Sequence, residues 1–202
     1  MDKDITQEQV VNILKNGGVG ILATDTIYGL VGSALNKQTV SRILKIKERA
    51  PEKTFIVLIN SLDELALFGV EMNKEIEKTL KRFWPGKVSV VLPISPSAGY
   101  NKYFYLHQGK QELAFRLPAK PMLRAILRKT GPLVAPSANP TGKIPATNIK
   151  EAEAYFGDQI DFYYSGKASR ATKVSTLIRF DKYNLVELIR PGAVRIPKEL
   201  LS

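Results

Sequence analysis

The chain has 202 residues, a length that suits one domain with a substantial buried core. It contains no cysteine and one histidine, His107, which excludes disulfides, thiolate nucleophiles and Cys-ligated metals and argues against a Ser-His-Asp triad or a multi-histidine metal site. Thirty Lys plus Arg against nineteen Asp plus Glu give a net charge of +11, which favours polyanionic partners such as nucleotides or RNA. A lysine-rich proteome or simple solubility explains that charge equally well.

No stretch of the sequence approaches the roughly 18 consecutive apolar residues of a membrane span. The polar start MDKDITQEQVV is unlike a secretory signal. No composition shift or linker divides the chain. We therefore expect a single cytoplasmic domain over residues 1–202 with no membrane partner.

Hydrophobic periodicity predicts helices and strands in alternation along the chain. Thr6 and Gln9 form a capping box at the start of the first helix. Helices are predicted over 7–16, 37–49, 73–84 and 149–156, with another closed by Gly131. Strands are predicted at 19–23 and at TFIVLI, VSVVLPI, LAFRLP, PLVAP, IDFYYS, STLIRF and LVELIR. The order strand 19–23, helix 37–49, strand TFIVLI suggests a crossover unit, and the fold class is α/β with a mixed sheet.

Phosphate-binding loops of the standard kinds are absent from the sequence. Four Gly-Lys pairs occur, but none is followed by Ser or Thr or preceded at the right spacing by another glycine, so there is no Walker A loop. The stretch GGVG precedes a strand, which excludes the dinucleotide fingerprint. A bound nucleotide would need separate cations and backbone groups to hold its phosphates.

The best cationic cluster for that purpose is KIKERAPEKT, with Lys47, Arg49 and Lys53. Residues two apart on a regular helix point about 200° from each other, so Lys47 and Arg49 converge only if the helix unwinds. Pro51 favours unwinding because it disfavours helix at the preceding residue. The alternative is a solvated helix end whose cations interact with the helix dipole.

Polar side chains also come directly after two predicted strands. In APSANPTGK, Ser137 and Asn139 can hydrogen-bond a ligand without titrating, or can simply form an Asx or Ser turn. In ATDTIYGL, Thr24 and Thr26 can line a site or be ordinary strand residues, with Asp25 capping the next segment.

Two arginines each end an apolar segment shortly before a proline: Arg116 in FRLP and Arg190 in IRPG. Strand alternation places Ala114 and Arg116 on the face opposite Phe115. An arginine so placed can pair with a carboxylate or phosphate in bidentate fashion, or can be an ordinary sheet-end arginine. Thr176 begins another strand in KVSTLI and has the same two interpretations.

Together these segments resemble the YrdC-like threonylcarbamoyl-AMP synthase family, in its short, single-domain form, along nearly the whole chain. The matching pieces, in order, are GGVGILATDTIYGL, KIKERAPEKTFIVLI, WPGKVSVVL, LAFRLP, PLVAPSANPTG, KVSTLI and LIRPGAV. The resemblance implies a single-domain twisted mixed β-sheet flanked by helices, with a deep basic cleft. It also implies a reaction in which L-threonine, bicarbonate and ATP, with Mg²⁺ on its phosphates, give L-threonylcarbamoyl-adenylate and pyrophosphate.

The resemblance also implies roles for individual residues and partners. Lys47 and Arg49 would be catalytic, and the ATP-binding residues would be Lys47, Arg49, Lys53, Ser137, Asn139 and Arg190. The threonine-binding residues would be Thr26, Tyr28, Arg116 and Thr176, with Arg116 on the carboxylate and Thr24 in the pocket wall. A downstream transferase complex would carry the threonylcarbamoyl group to tRNA, which is itself a candidate partner. Gly29 and Gly32 would let the backbone turn away beneath the pocket.

Two departures from the family pattern leave alternatives open. KERAPEKT shifts the usual proline by one position and puts Glu48 where glycine is usual, and LATDT lacks the proline that often precedes the first threonine. The changed loop leaves open a paralogue with altered substrate, and the net charge of +11 leaves open an RNA-binding or ribosome-maturation module of the same fold. Apart from Asp25 no strong base is evident, which favours positioning and charge neutralisation over general-base catalysis.

Overall fold

The computed structural model describes residues 5–48, 55–95, 101–166 and 173–201. The α-helices within these ranges are α1 (Gln7–Lys15), α2 (Lys37–Ile46), α3 (Lys74–Phe83), α4 (Phe104–His107), α5 (Pro121–Thr130) and α6 (Ile149–Phe156). Short 3₁₀ helices cover Leu62–Phe68, Gly157–Gln159 and Lys198–Leu200. None of the helices in the described ranges is long and apolar enough to cross a membrane.

The described strands form one mixed sheet. They are β1 (Gly20–Ala23), β2 (Tyr28–Ser33), β3 (Ile56–Leu58), β4 (Val88–Pro93), β5 (Glu112–Arg116), β6 (Leu133–Val134), β7 (Phe162–Tyr164), β8 (Thr176–Phe180) and β9 (Val186–Arg190). Their order across the sheet is β7-β1-β2-β6-β3-β5-β4-β8-β9. The pairs β1–β7, β3–β5 and β4–β8 are parallel, whereas the other neighbours are antiparallel. The predicted α/β class with a mixed sheet is confirmed.

Local signals set most of the helix boundaries. Thr6 and Gln9 satisfy each other's backbone N–H groups in a capping box, as predicted, and α1 ends one residue before the predicted Asn16. The side chain of Asn148 accepts a hydrogen bond from the backbone of Glu151 and so starts α6, whose predicted bounds are confirmed.

The predicted crossover unit is wrong. β1 does not pair with β3; it leads through a turn at 24–27 into β2, and the two strands form an antiparallel hairpin. The prediction failed because the polar residues 24–26 resemble the end of a strand, and a second strand begins almost directly after them at Tyr28. Gly29 and Gly32 therefore do not turn the chain away but lie inside β2. At Gly32 a Cβ atom would come within 2.4 Å of Thr39 Cγ2, so the glycine allows α2 to pack closely on β2.

Helix α2 ends earlier than the predicted position 49. Its last residue is Ile46, Lys47 is its C-cap, and Glu48 has a left-handed backbone with φ of 48°. Lys47 and Arg49 could converge only if the helix unwound near Lys47, and α2 does end just before this residue. Arg49 and Lys53 themselves lie outside the described residues.

Strand alternation gives the centre of the sheet two different faces. On one face Val57, Phe115, Val90 and Ile178 are in register across β3, β5, β4 and β8 and are fully buried in the main hydrophobic core. On the other face Ile56, Ala114 and Val91 are in register, and they form the floor of a cavity.

Candidate functional site

The cavity has a volume of about 390 Å³ and lies over the second face of the sheet. Its walls come from the β1–β2 turn, from the segment after β6 and from the facing ends of β8 and β9. Among the lining residues that the structure describes, three are cationic and none is acidic. The polar and charged lining residues are Thr24, Thr26, Tyr28, Lys110, Arg116, Ser137, Ser175 and Arg190. The cavity therefore suits a polar ligand that carries negative charge.

Two threonine hydroxyls in the β1–β2 turn form a directed chain of hydrogen bonds. Thr24 Oγ1 donates to the carbonyl of Ile27 over 2.6 Å, and it lies 3.0 Å from Thr26 Oγ1. Because the one hydroxyl proton of Thr24 is committed to that carbonyl, the proton between the two hydroxyls belongs to Thr26. Thr24 Oγ1 also accepts from the Thr26 backbone N–H at 3.0 Å, which explains why a threonine occupies this turn.

Arg116 extends this chain from the end of β5. Its Nη1 donates to Thr26 Oγ1 over 2.7 Å, and its Nη2 lies 3.3 Å from Asp25 Oδ1. The guanidinium is almost fully buried, and burial lowers the pKa of Arg116, an effect that Asp25 opposes and Arg190 reinforces. Its Nε is buried and has no hydrogen-bond partner within the described structure.

Asp25 lies behind the cavity wall rather than in it. Its Oδ2 accepts from the backbone N–H of Ala119 over 3.1 Å, so the carboxylate joins the β1–β2 turn to the segment after β5. Lys120 is next to it, and its ammonium donates to the carbonyl of Ala23 over 3.0 Å. Burial lowers the pKa of Lys120, and the charge of Asp25 opposes that effect.

Arg190 and Ser175 form the opposite wall. Arg190 Nη2 donates to the carbonyl of Ser175 over 3.0 Å, and the hydroxyl of Ser175 accepts from Ser89 at 2.8 Å. Burial lowers the pKa of Arg190. Since the carbonyl of Ser175 is neutral, this bond fixes the guanidinium without cancelling its charge.

Thr176, a predicted threonine-binding residue, does not line this cavity. Its hydroxyl donates to the carbonyl of Val194 over 2.6 Å and accepts from the Val194 N–H at 3.0 Å, and the side chain is fully buried. Alternation along β8 turns Thr176 away from the cavity, whereas its neighbours Ser175 and Leu177 face it. That alternation is the signal that could have identified Ser175 from the sequence.

Lys47 also lies behind the wall of the cavity rather than in it. Its buried ammonium donates to the carbonyls of Ser137 and Asn139, while its own carbonyl accepts from the backbone N–H and hydroxyl of Thr141. Asn139 Nδ2 donates to the carbonyls of Pro140 and Lys143. Lys47 and Asn139 thus shape the loop that presents Ser137 to the cavity.

Of the predicted site residues, the structure brings Thr26, Tyr28, Arg116, Ser137 and Arg190 together around one cavity. Burial raises the pKa of the Tyr28 phenol, which therefore stays protonated at neutral pH. Lys110 is a lining residue that the sequence reasoning missed. It lies in a loop where Gln108 and Gln111 both have left-handed backbones, and no sequence pattern indicated that this loop reaches the cavity.

A second cavity of about 490 Å³ adjoins the first and shares Ile27 and Val174 with it. Thr147, Lys173 and Gly192 are among its other lining residues. The paired cavities provide room for a ligand with two distinct parts.

Comparison with known proteins adds to this geometry. A family model for Sua5/YciO/YrdC proteins, described as "Telomere recombination", matches residues 12–192. A Cellvibrio japonicus protein named threonylcarbamoyl-AMP synthase is 31% identical over 167 residues, which are 82% of this chain and 86% of that protein. The crystal structure of P. abyssi Sua5 complexed with L-threonine aligns with a TM-score of 0.82 at 29% identity, over 94% of this chain and 56% of that one.

The crystal structure of E. coli YciO aligns with a TM-score of 0.82 at 22% identity, over 97% of this chain and 94% of that one. At that identity the likeness concerns the fold alone. The predicted twisted mixed sheet flanked by helices is confirmed by these alignments.

Proposed function

The chain belongs to the Sua5/YciO/YrdC family, and from that premise we propose that it is a threonylcarbamoyl-AMP synthase that acts as a single domain. The observation that carries the proposal is the cavity in which the Thr26 hydroxyl, Arg116 and Arg190 converge. Such a cavity offers an α-amino acid both hydrogen-bonding groups and cations for its carboxylate. The P. abyssi relative, whose fold aligns closely, is described as complexed with L-threonine.

The proposed reaction joins three substrates. The amine of L-threonine attacks carbon dioxide derived from bicarbonate, and a carbamate forms with loss of water. A carbamate oxygen then attacks the α-phosphorus of ATP, a new P–O bond forms, and the bond to pyrophosphate breaks. The products are L-threonylcarbamoyl-adenylate and pyrophosphate.

The chain's own residues contribute mainly position and charge in this reaction. Arg116 and Thr26 orient threonine at one wall, with Tyr28 beside them, while Arg190 and Ser137 approach the nucleotide from the other walls. Lys47 acts through the loop that carries Ser137, and Thr176 through the segment at Val194. The resemblance assigns Arg49 and Lys53 to the ATP phosphates. Holding the reactants in line removes much of the entropic cost of a three-substrate reaction.

Mg²⁺ belongs in this proposal as a partner of the nucleotide. In the described part of the chain no group of three or more His, Asp or Glu side chains converges, and the described cavity lining has no carboxylate. The cation would therefore be held by the phosphates of ATP, where it supplies charge neutralisation.

The product is a reactive mixed anhydride, which makes it a suitable donor of the threonylcarbamoyl group in a second step. We assign that step to a threonylcarbamoyl transferase complex acting on tRNA in the cytoplasm. Direct binding of tRNA to this chain is a further part of the proposal, supported by the net charge of +11.

The test is pyrophosphate release measured with all three substrates and with each omitted in turn. Release should require ATP, L-threonine and bicarbonate together. Arg190→Met should raise the KM for ATP by about 10- to 100-fold, the effect of losing a hydrogen bond to a charged group. Arg49→Ala should raise the KM for ATP by a similar factor. Release without threonine would contradict the proposal.

Arg179→Met is the matched control, since Arg179 lies on β8, pairs with Glu187 and does not line the cavity. Both variants remove one positive charge from the chain. An enzyme should respond only to the change at Arg190, whereas an RNA-binding module that depends on net charge should lose RNA affinity equally in both variants. RNA binding without turnover would support that second function.

A further inference from the structure

Asp25 is a buried carboxylate that the proposed reaction does not use. It touches Arg116 and the Ala119 N–H, and it does not line the cavity. A buried ion is costly unless its partner and its geometry are well matched, so the pair constrains where Arg116 can point. Nη1 donates a hydrogen bond to Thr26 Oγ1, whereas Nη2 is attracted to Asp25 Oδ1 by charge, since that oxygen accepts no hydrogen bond among the described residues; the guanidinium is thus held at two points.

The fixed position of Arg116 determines which hydroxyl donates and which accepts along the chain from Thr26 to Thr24. A guanidinium can only donate, so Thr26 Oγ1 must accept from Arg116. The Thr26 proton goes to Thr24, whose own proton is fixed on the carbonyl of Ile27. Thr26 therefore reaches the cavity with one free lone pair and no free proton.

Because Thr26 can only accept a hydrogen bond in the cavity, and resting on the proposed function, we infer that Asp25 is a positioning residue for the amino-acid substrate. By holding Arg116 it keeps Thr26 in the acceptor state, so the group that binds opposite Thr26 must be a hydrogen-bond donor. L-Threonine carries two such groups, its amine and its hydroxyl, next to a carboxylate that can accept from Arg116. The pocket therefore favours a ligand that carries a hydrogen-bond donor next to an acceptor.

The mechanism predicts how substitutions act. Asp25→Asn keeps the shape and the acceptor for the Ala119 N–H, but removes the charge that holds Arg116. Arg116 is then free to turn from Thr26 toward the ligand, and the fixed direction of the chain is lost. Thr24→Val keeps the ion pair but removes the acceptor for the Thr26 proton, so Thr26 can donate again. It also removes the bonds of Thr24 to the Ile27 carbonyl and the Thr26 N–H, and the melting temperature reports that loss separately.

Asp161 provides a matched control elsewhere in the molecule. Its carboxylate also accepts from an arginine, Arg42 at 2.6 Å, and from a backbone N–H, that of Val19 at 2.7 Å. It does not line either of the two cavities. Asp161→Asn therefore removes the same chemistry without affecting the cavity wall.

The experiment is isothermal calorimetry of L-threonine, L-2-aminobutyrate and ATP with the full chain and its Asp25→Asn, Thr24→Val and Asp161→Asn variants, with melting temperatures measured in parallel. We expect Asp25→Asn and Thr24→Val to weaken L-threonine binding by about 10-fold, as expected for one mispaired polar contact. ATP affinity should stay within about 2-fold, and Asp161→Asn should bind threonine like the wild type.

L-2-Aminobutyrate, which lacks the hydroxyl, identifies the donor. If the substrate hydroxyl faces Thr26, the wild type prefers threonine over 2-aminobutyrate and both cavity variants lose that preference. If the amine faces Thr26, both variants weaken the two amino acids equally.

Unchanged threonine binding in Asp25→Asn and Thr24→Val would overturn the inference, as would equal weakening in Asp161→Asn. If Asp25→Asn does not fold, Thr24→Val decides alone. A wild type that binds no threonine would instead contradict the proposed function, so the two failures are distinguishable.

Discussion

Two aspartate–arginine pairs lie at opposite ends of β1, and their surroundings differ. At the start of the strand Asp161 accepts from the Val19 N–H and pairs with Arg42, and the two side chains are 35% and 38% exposed. Just beyond the end of the strand Asp25 pairs with Arg116, and their side chains are 7% and 4% exposed. Water can replace the contacts of the first pair, whereas the second is almost fully buried and is open to solvent only where Arg116 borders the cavity. The same two residue types therefore fasten a surface segment at one end and build a cavity wall at the other.

The largest effect is expected when the buried pair is broken. In Arg116→Met the Asp25 carboxylate loses its close ion partner and stays buried with only the Lys120 ammonium nearby, so the free energy of unfolding should fall by about 3–5 kcal/mol. Urea denaturation at neutral pH measures this. A loss below about 1 kcal/mol would mean that the buried pair behaves like a surface pair.

Removing both partners of the buried pair should cost less than removing one. The double variant Asp25→Leu with Arg116→Met replaces two buried charges by apolar side chains, so its stability should recover to within about 2 kcal/mol of the wild type. Threonine binding should not recover, because the Thr26 acceptor no longer has its fixed partner. Denaturation and calorimetry on the same samples test the two statements, and recovery of binding would refute the functional part.

The exposed pair should matter little and should depend on salt. In Arg42→Met the free energy of unfolding should fall by about 0.2–1 kcal/mol. Repeating the denaturation in 1 M salt, where the screening length is about 3 Å, should reduce the difference. A loss that survives high salt would point to the bond from Arg42 to the Gln159 carbonyl instead.

The smallest expected effect is the loss, at low pH, of the stability that the Asp161 carboxylate contributes. Burial raises the pKa of Asp161, but the hydrogen bonds from Arg42 and the Val19 N–H, with the charge of Arg42, outweigh it and lower the pKa overall. A carboxyl whose pKa is lower when folded contributes stability above its unfolded value, near 3.8, and loses that contribution as the pH falls through the folded value. The stability gap between wild type and Asp161→Asn should therefore narrow in acid. A gap that widens below pH 4 would contradict this sign.

Much of the fold was predictable because its signals are local. The capping box at Thr6, the asparagine that caps α6 and the alternation around Phe115 each depend on a few neighbouring residues. The hairpin of β1 and β2 was missed because its turn is short and polar, so the second strand lacks the usual boundary. Nothing local in ATDTIYGL distinguishes a strand end from a turn stabilised by two hydroxyls.

The site was predictable at the level of residue types but less so in orientation. Arg116 was expected on the face away from Phe115, and the structure confirms that. Ser175 directly precedes Thr176, the first residue of β8, so choosing which of the two faces the cavity requires knowing which side the core occupies. The Asp25–Arg116 contact joins residues 91 positions apart in number, and neither neighbourhood encodes it.

The segment around Val194 has a consequence for the motions of the chain. It belongs to neither a helix nor a strand, yet the Ala193 N–H donates to the carbonyl of Val174 and the Val194 N–H donates to the Thr176 hydroxyl. Two successive amides in an irregular segment are thus shielded from deuterium. Their exchange rates would report how firmly the wall at Gly192, which borders the second cavity, stays closed against β8. Amide exchange in this irregular segment can therefore be as slow as exchange in the strand to which it is hydrogen-bonded.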